Sequence, residues 1–181
     1  MNRNRFHLLM FILILLICLN GCNLQHHHYE FKVIGLEGVE RYDYLHNEKT
    51  ENFHVNEVVF HMIIKDFQEN GFRLVIGCST ENEDATAVVK SYSLTEKESG
   101  KIILQNEASE TKIELSFNEE HGFYDGNIIA GWFNEPEYEI NSDLNLELIV
   151  WVEVQKRETT KMKKLVFPID IIEYFSSPSI T

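Results

Sequence analysis

From Val55 onward, apolar and polar residues alternate in short runs. Val58, Phe60, Met62 and Ile64 share one side of Val55 to Lys65, and Phe72, Leu74, Ile76 and Cys78 share one side of Phe72 to Ser79. A period of two sends successive side chains to opposite faces, so each run predicts a half-buried β-strand. The Asn70-Gly71 pair between them has the residues of a tight hairpin and predicts antiparallel pairing. Thr86 to Leu94, Lys101 to Gln105 and Glu110 to Phe117 continue the pattern, the last with Ile113, Leu115 and Phe117 on one side, and Gly126 to Phe133 follows. The strongest alternation is in Leu144 to Gln155. There Leu144, Leu146, Leu148, Val150, Val152 and Val154 face inward, while Ile149 and Trp151 are apolar exceptions on the outer side. Met162 to Tyr174 aligns Leu165, Phe167, Ile169 and Ile171, but Pro168 has no N–H for a ladder and predicts an edge strand or a bulge. Tyr29 to Leu36 is a first strand in a stretch of mixed period that runs to Asn52. About eight or nine such strands, joined by polar turns, predict an all-β, antiparallel β-sandwich of immunoglobulin-like or jelly-roll-like kind, with a closed barrel as the alternative.

The first residues follow another rule. Arg3 and Arg5 precede Leu8 to Leu19, twelve residues without a polar side chain. A spanning helix needs about 20 apolar residues, so this run has the length of an export signal's hydrophobic segment. Leu19-Asn20-Gly21-Cys22 follows at once, and it resembles the lipobox of bacterial lipoproteins. That resemblance implies diacylglyceryl transfer to the Cys22 sulfur, cleavage after Gly21 and fatty acylation, such as palmitate, of the new amino terminus. The expected organisation is a signal peptide over 1–21, the lipidated cysteine and a polar tether over 22–28, and one sandwich domain over 29–181. The expected address is the bacterial cell envelope, outside the cytoplasm. Asn23 is not the aspartate that the resemblance to enterobacterial lipoproteins associates with inner-membrane retention, so either membrane is allowed.

With Cys18 in the leader and Cys22 acylated, Cys78 is left alone, and its place on an apolar strand face predicts a buried, inert thiol. The chain carries a net charge of −13, and the leader holds two arginines and no acid, which puts the remainder at −15. A surface of that sign repels phosphate backbones, so nucleic-acid binding is disfavoured. It also keeps the domain off anionic lipid, leaving the anchor as the only membrane attachment.

Chemistry-bearing constellations are few. His26-His27-His28 carries metal-ligating nitrogens but reads as a spacer, because adjacent histidines on a tether seldom converge on one ion. His61, between Val59 and Ile63, suggests a partly covered face, and Glu81-Asn82-Glu83-Asp84 and Asn141-Ser142-Asp143 read as solvated turns without calcium-loop spacing. No nucleophile elbow, zinc motif or phosphate-cradling glycine loop occurs. No catalytic residue, metal or cofactor is therefore expected. Tyr124, Trp132, Phe133, Tyr138 and Trp151 form the candidate ligand or partner surface, since exposed aromatics on sandwiches stack on sugar rings or anchor proteins. The function expected is a non-catalytic binding or interaction module for an envelope protein or glycan, with an immunity or inhibitor type as one form. The alternatives are an envelope hydrolase whose constellation assembles from distant strands, and a structural subunit of an envelope assembly.

Overall fold

The computed structural model describes residues 26–67, 71–107, 110–133 and 140–176. The leader, Cys22 with its lipobox, and Tyr138 lie outside them. Contacts group Tyr29–Glu173 as one compact unit and the two ends, Met1–His28 with Tyr174–Thr181, as another. In the second of these the His28 ring stacks on Tyr174 with centroids 5.3 Å apart.

The chain forms strands β1 (His26–Val33), β2 (His54–Val55), β3 (Val58–Asp66), β4 (Phe72–Thr80), β5 (Ala85–Glu96), β6 (Ile102–Asn106), β7 (Thr111–Ile113), β8 (Ser116–Asn118), β9 (Phe123–Phe133), β10 (Leu146–Lys156) and β11 (Thr159–Ser176). Two short 3-10 helices, Arg41–His46 and Glu48–Phe53, lie between β1 and β2. The strands make two antiparallel sheets. The first runs β1-β11-β10-β5-β6 with β7 also on β5, and the second runs β2-β3-β4-β9-β8. This is the all-β sandwich that the alternation predicts.

The alternation also explains the core. Leu146, Leu148, Val150, Val152 and Val154 of β10, with Leu165, Phe167, Ile169 and Ile171 of β11, are buried together with Val58, Phe60, Met62 and Ile64 of β3 and Leu74, Ile76 and Cys78 of β4. Burial of each large aliphatic or aromatic side chain stabilises the fold by about 1.5–3 kcal/mol. Phe53, from the second 3-10 helix, stacks on Phe167 at 4.5 Å with planes only 5° apart. Thr50 anchors the same segment, its hydroxyl donating to the carbonyl oxygens of Tyr44 and Asn47, each at 2.6 Å.

Three strand expectations are corrected. Glu110 to Phe117 is not one strand. β7 pairs with β5 in the first sheet and β8 pairs with β9 in the second, so the chain changes sheets at Glu114 and Leu115. Gly126 permits that crossing, because a Cβ there would stand 2.2 Å from the Glu114 carbonyl oxygen. Phe117, expected on the buried side with Ile113, is 53% exposed.

The second correction concerns β11, which is not an edge strand but lies between β1 and β10. The N–H and C=O of one strand residue point to the same side. Pro168 accepts from the Ile34 amide at 2.9 Å, so its missing donor faces the β1 side, one residue past the end of that strand at Val33. The β10 ladder asks nothing of it, and Glu147 sits opposite Pro168 in an unbroken register.

The third is the start of the first strand. β1 begins at His26, so the polar stretch of histidines is strand rather than free spacer.

Candidate functional site

Of the aromatics chosen from sequence, the four among the described residues do not form one cluster. Phe133 is buried and stacks on Phe72 at 5.3 Å, so it supplies packing and not surface. Trp132, 47% exposed, lies beside Phe67, with the Arg73 guanidinium 4.5 Å from the Phe67 ring and 5.4 Å from the Trp132 ring. Tyr124 lies at one end of the second sheet, its hydroxyl donating to Glu83 at 3.2 Å. Trp151 is on the other sheet altogether, in β10.

Around Trp151 the first sheet has an uncovered outer face. The hairpin from β10 to β11 turns through Arg157 and Glu158, and its register sets Trp151 opposite Lys164, Ile149 opposite Val166 and Glu153 opposite Met162. On the other flank Trp151 faces Ser91 and Ile149 faces Ser93, while the pairing shifts between Trp151 and Val152 so that Lys90 is an extra residue on β5. Such a bulge re-aims side chains at the point where it occurs. β6 pairs with β5 only from Tyr92 and β7 only up to Val89, so the edge of β5 is free of both exactly where the bulge falls.

The result is a groove of about 650 Å³ bordered by Lys90, Ser91, Glu107, Glu110, Trp151 and Met162. It continues into a second hollow of about 320 Å³ that adds Ser93, Gln105, Asn106 and Ile149. Trp151 is 42% exposed and Met162 56% exposed. Lys90 is held by Glu110 at 3.1 Å and Glu153 at 3.8 Å, which neutralises it locally, while a second cation, the exposed Lys164, stands opposite Trp151.

The outer face of the second sheet is built differently. The 3-10 helix Arg41–His46 packs over β3 and β4, with the Tyr44 ring edge-on to His61 at 6.1 Å. His61 is only 2% exposed, so the partly covered face expected from its neighbours is a sealed one. Gly77 lies directly opposite in the register, and the imidazole occupies the space its side chain would need: a Cβ on Gly77 would be 2.3 Å from His61 Nε2. Neither ring nitrogen has a hydrogen-bond partner among the described residues, and the same holds for the nearby Ser79 hydroxyl. Burial, assisted by the Arg41 charge, pushes the His61 pKa down to about 3. Arg41 itself is paired with Asp125 at 3.1 Å. His121 is stacked on Tyr42 at 3.7 Å. On the inner side of the same sheet Cys78 is fully buried, and burial followed by the Asp125 charge raises its thiol to about 12.

A third hollow, of about 280 Å³, lies among Leu45, His46, His54, Glu57, Thr80 and Glu81, next to the acidic loop. His46 Nε2 is 3.4 Å from Glu81, and burial lowers the His54 pKa. No three His, Cys, Asp or Glu side chains converge to hold a metal among the described residues.

Sequence reasoning singled out Trp151 but missed Lys90, Ser91, Ser93, Gln105, Glu107 and Met162 as its neighbours. Their only signal is register. Once the two-residue turn at Arg157 and Glu158 is known, counting back pairs Trp151 with Lys164 and brings Met162 alongside. No protein-family model matches the chain, and no curated protein matches it.

Proposed function

We propose that this chain is a bacterial envelope lipoprotein, cut before Cys22 and lipid-anchored there. Its sandwich is a single domain over 29–181 and acts as a non-catalytic binding module, engaging an envelope protein or glycan through the Trp151 face. Within the sandwich class we propose an immunoglobulin-like or jelly-roll-like kind, on the strength of the connections from β4 to β5 and from β9 to β10, each of which changes sheets.

The observation that carries the binding reading is the groove beside Trp151. A large aromatic and a methionine stand open to solvent beside it, whereas on the other sheet the 3-10 helix Arg41–His46 covers the outer face around His61 and leaves Ile129 and Trp132 exposed. Exposed aromatic and methionine side chains with a polar rim are the composition of binding surfaces. The anchor rests on the lipobox alone. Catalysis through His61 is disfavoured, because its ring is sealed from solvent and too weakly basic to accept a proton near neutrality.

Two measurements test this. Mass spectrometry of the amino-terminal peptide should find a diacylglyceryl thioether at Cys22, and an unmodified thiol there sinks the anchor. The full lipidated protein, immobilised through detergent micelles, should retain a component of envelope extract that the Trp151→Ala variant does not. Equal retention by both removes the face from the proposal. A second reading, a structural subunit of an envelope assembly, is favoured by the apolar continuity of Ile149, Trp151, Met162 and Val166 on one face. It predicts that the native protein migrates in a large stable complex that W151A disrupts.

A further inference from the structure

The chemistry of the groove narrows its ligand. We propose that the Trp151 groove is a binding site for a neutral saccharide chain, with one pyranose ring stacked on the Trp151 indole and its neighbour spread across β5 toward β6. This rests on the binding-module reading above and names the class of ligand for it.

Three features of the lining support it. First, Trp151 is the exposed aromatic of the lining, Tyr92 being buried, and it lies on a strand face. A tryptophan on a pleated sheet offers its flat surface to a ring of C–H groups, the apolar contribution that a hydroxyl-rich ligand can make. Second, the positions beside it are polar in the right sense and at the right interval. Ser91 is opposite Trp151, Ser93 is opposite Ile149, and Gln105 is opposite Ser93. Neighbouring strands are about 4.8 Å apart, so hydroxyl and carboxamide groups recur at steps of roughly one sugar ring across the sheet. Each of these groups both donates and accepts, which matches sugar hydroxyls. Third, the charges select against anions. Lys90 is taken up by Glu110 and Glu153, Glu107 adds a carboxylate to the rim, and Lys164 stands opposite Trp151. Three carboxylates against two cations leave the surroundings net negative, which disfavours a phosphorylated or uronate polymer relative to a neutral one.

A protein partner fits the same lining less well. Protein-binding hot spots are clusters of aromatics and arginine in a desolvated centre. Here one exposed tryptophan, with Ile149 and Met162 beside it, is flanked by two serines, a glutamine and an asparagine, and no arginine lines the groove.

The test uses the full lipidated chain in detergent micelles, with Trp132→Phe as background so that Trp151 is the only tryptophan. Cellohexaose, chitohexaose and xylohexaose are titrated while indole fluorescence is followed, with polygalacturonate as the anionic control. The expected result is a saturable spectral change with at least one neutral hexasaccharide, insensitive to salt between 50 mM and 500 mM and absent with polygalacturonate. Affinity, read by calorimetry, should fall about tenfold or more in Trp151→Ala, be largely kept in Trp151→Tyr, and weaken in Ser91→Ala and Gln105→Ala. Trp151 is on the surface, so these variants keep the core, and an unchanged urea midpoint verifies it. No response to any neutral probe overturns the saccharide, as does binding unaffected by W151A or stronger to polygalacturonate. If W151A nevertheless loses the envelope component retained by the native protein, the binding module stands and the ligand is a protein. If nothing depends on Trp151, both proposals fall.

Discussion

His61 is an ionisable ring placed where protonation is not accommodated. Its two nitrogens lack partners among the described residues, and its ring rests on the bare backbone of Gly77. With an ordinary pKa of 6.5 in the unfolded chain and about 3 in the fold, the unfolded state takes up the proton first. The stability contributed by neutral His61 is therefore complete above about pH 6.5 and drains away as the pH falls toward 3. One such group costs about 2 kcal/mol between pH 7.5 and pH 5. Urea denaturation at the two pH values should show that loss in the native protein and a smaller one in His61→Leu, which fills the site without titrating. An equal loss in both would mean that the acid sensitivity arises elsewhere. Gly77→Ala should destabilise by about 1–3 kcal/mol, because its methyl collides with a ring that Tyr44 holds in place. In His61→Ala the same change should be much cheaper, and a thermodynamic cycle on the four proteins measures the coupling.

At the level of the strand, the turn between β10 and β11 is the least predictable local feature with the largest effect. Arg157 sits at φ 52°, the left-handed region that favours glycine or asparagine. Arg157→Gly should raise stability by about 0.5–1 kcal/mol, because its ion pair with Asp84, at 4.0 Å, lies on an exposed rim and its influence on Glu57 is through solvent. A fall in the thermal midpoint would show that the arginine contributes more than its backbone costs. This turn also accounts for what could and could not be read in advance. The inward set of β10 was legible because five alternate residues are aliphatic, and Trp151 stood out as an exception among them. The groove was not, because it depends on a pairing register set by a turn with no Asn-Gly or Asp-Gly signature. Pro168 misled because a proline speaks only for one side of its strand, and that side is where β1 has already ended. The break after Ile113 was hidden by an alternation that continues into Phe117 although the chain has changed sheets. The covering of His61 by Arg41–His46 was equally hidden, since a short 3-10 helix has no long periodicity to announce it.

For the whole molecule, the proposed anchor and the charge act in opposite senses. A protein at −13 is repelled by an anionic bilayer, so retention at the membrane should depend on acyl chains and not on salt. Cys22→Ser should therefore appear in the soluble fraction, while washing membranes with high salt should release none of the native protein. Release of native protein by salt alone would mean that a protein contact, and not lipid, holds it.

The position of β5 sets the order in which this molecule can become itself. Residues 85–96 are sandwiched between β6, which follows within a few residues, and β10, which is not synthesised until residues 146–156, and β10 in turn leans on β11. Until the ribosome has added that distant hairpin, the first sheet has no middle and the apolar side of the second has nothing to close against. Pairings so far apart in sequence form slowly. A nascent chain of this design stays open and threadable until its final strands are made, which is the state the proposed export requires.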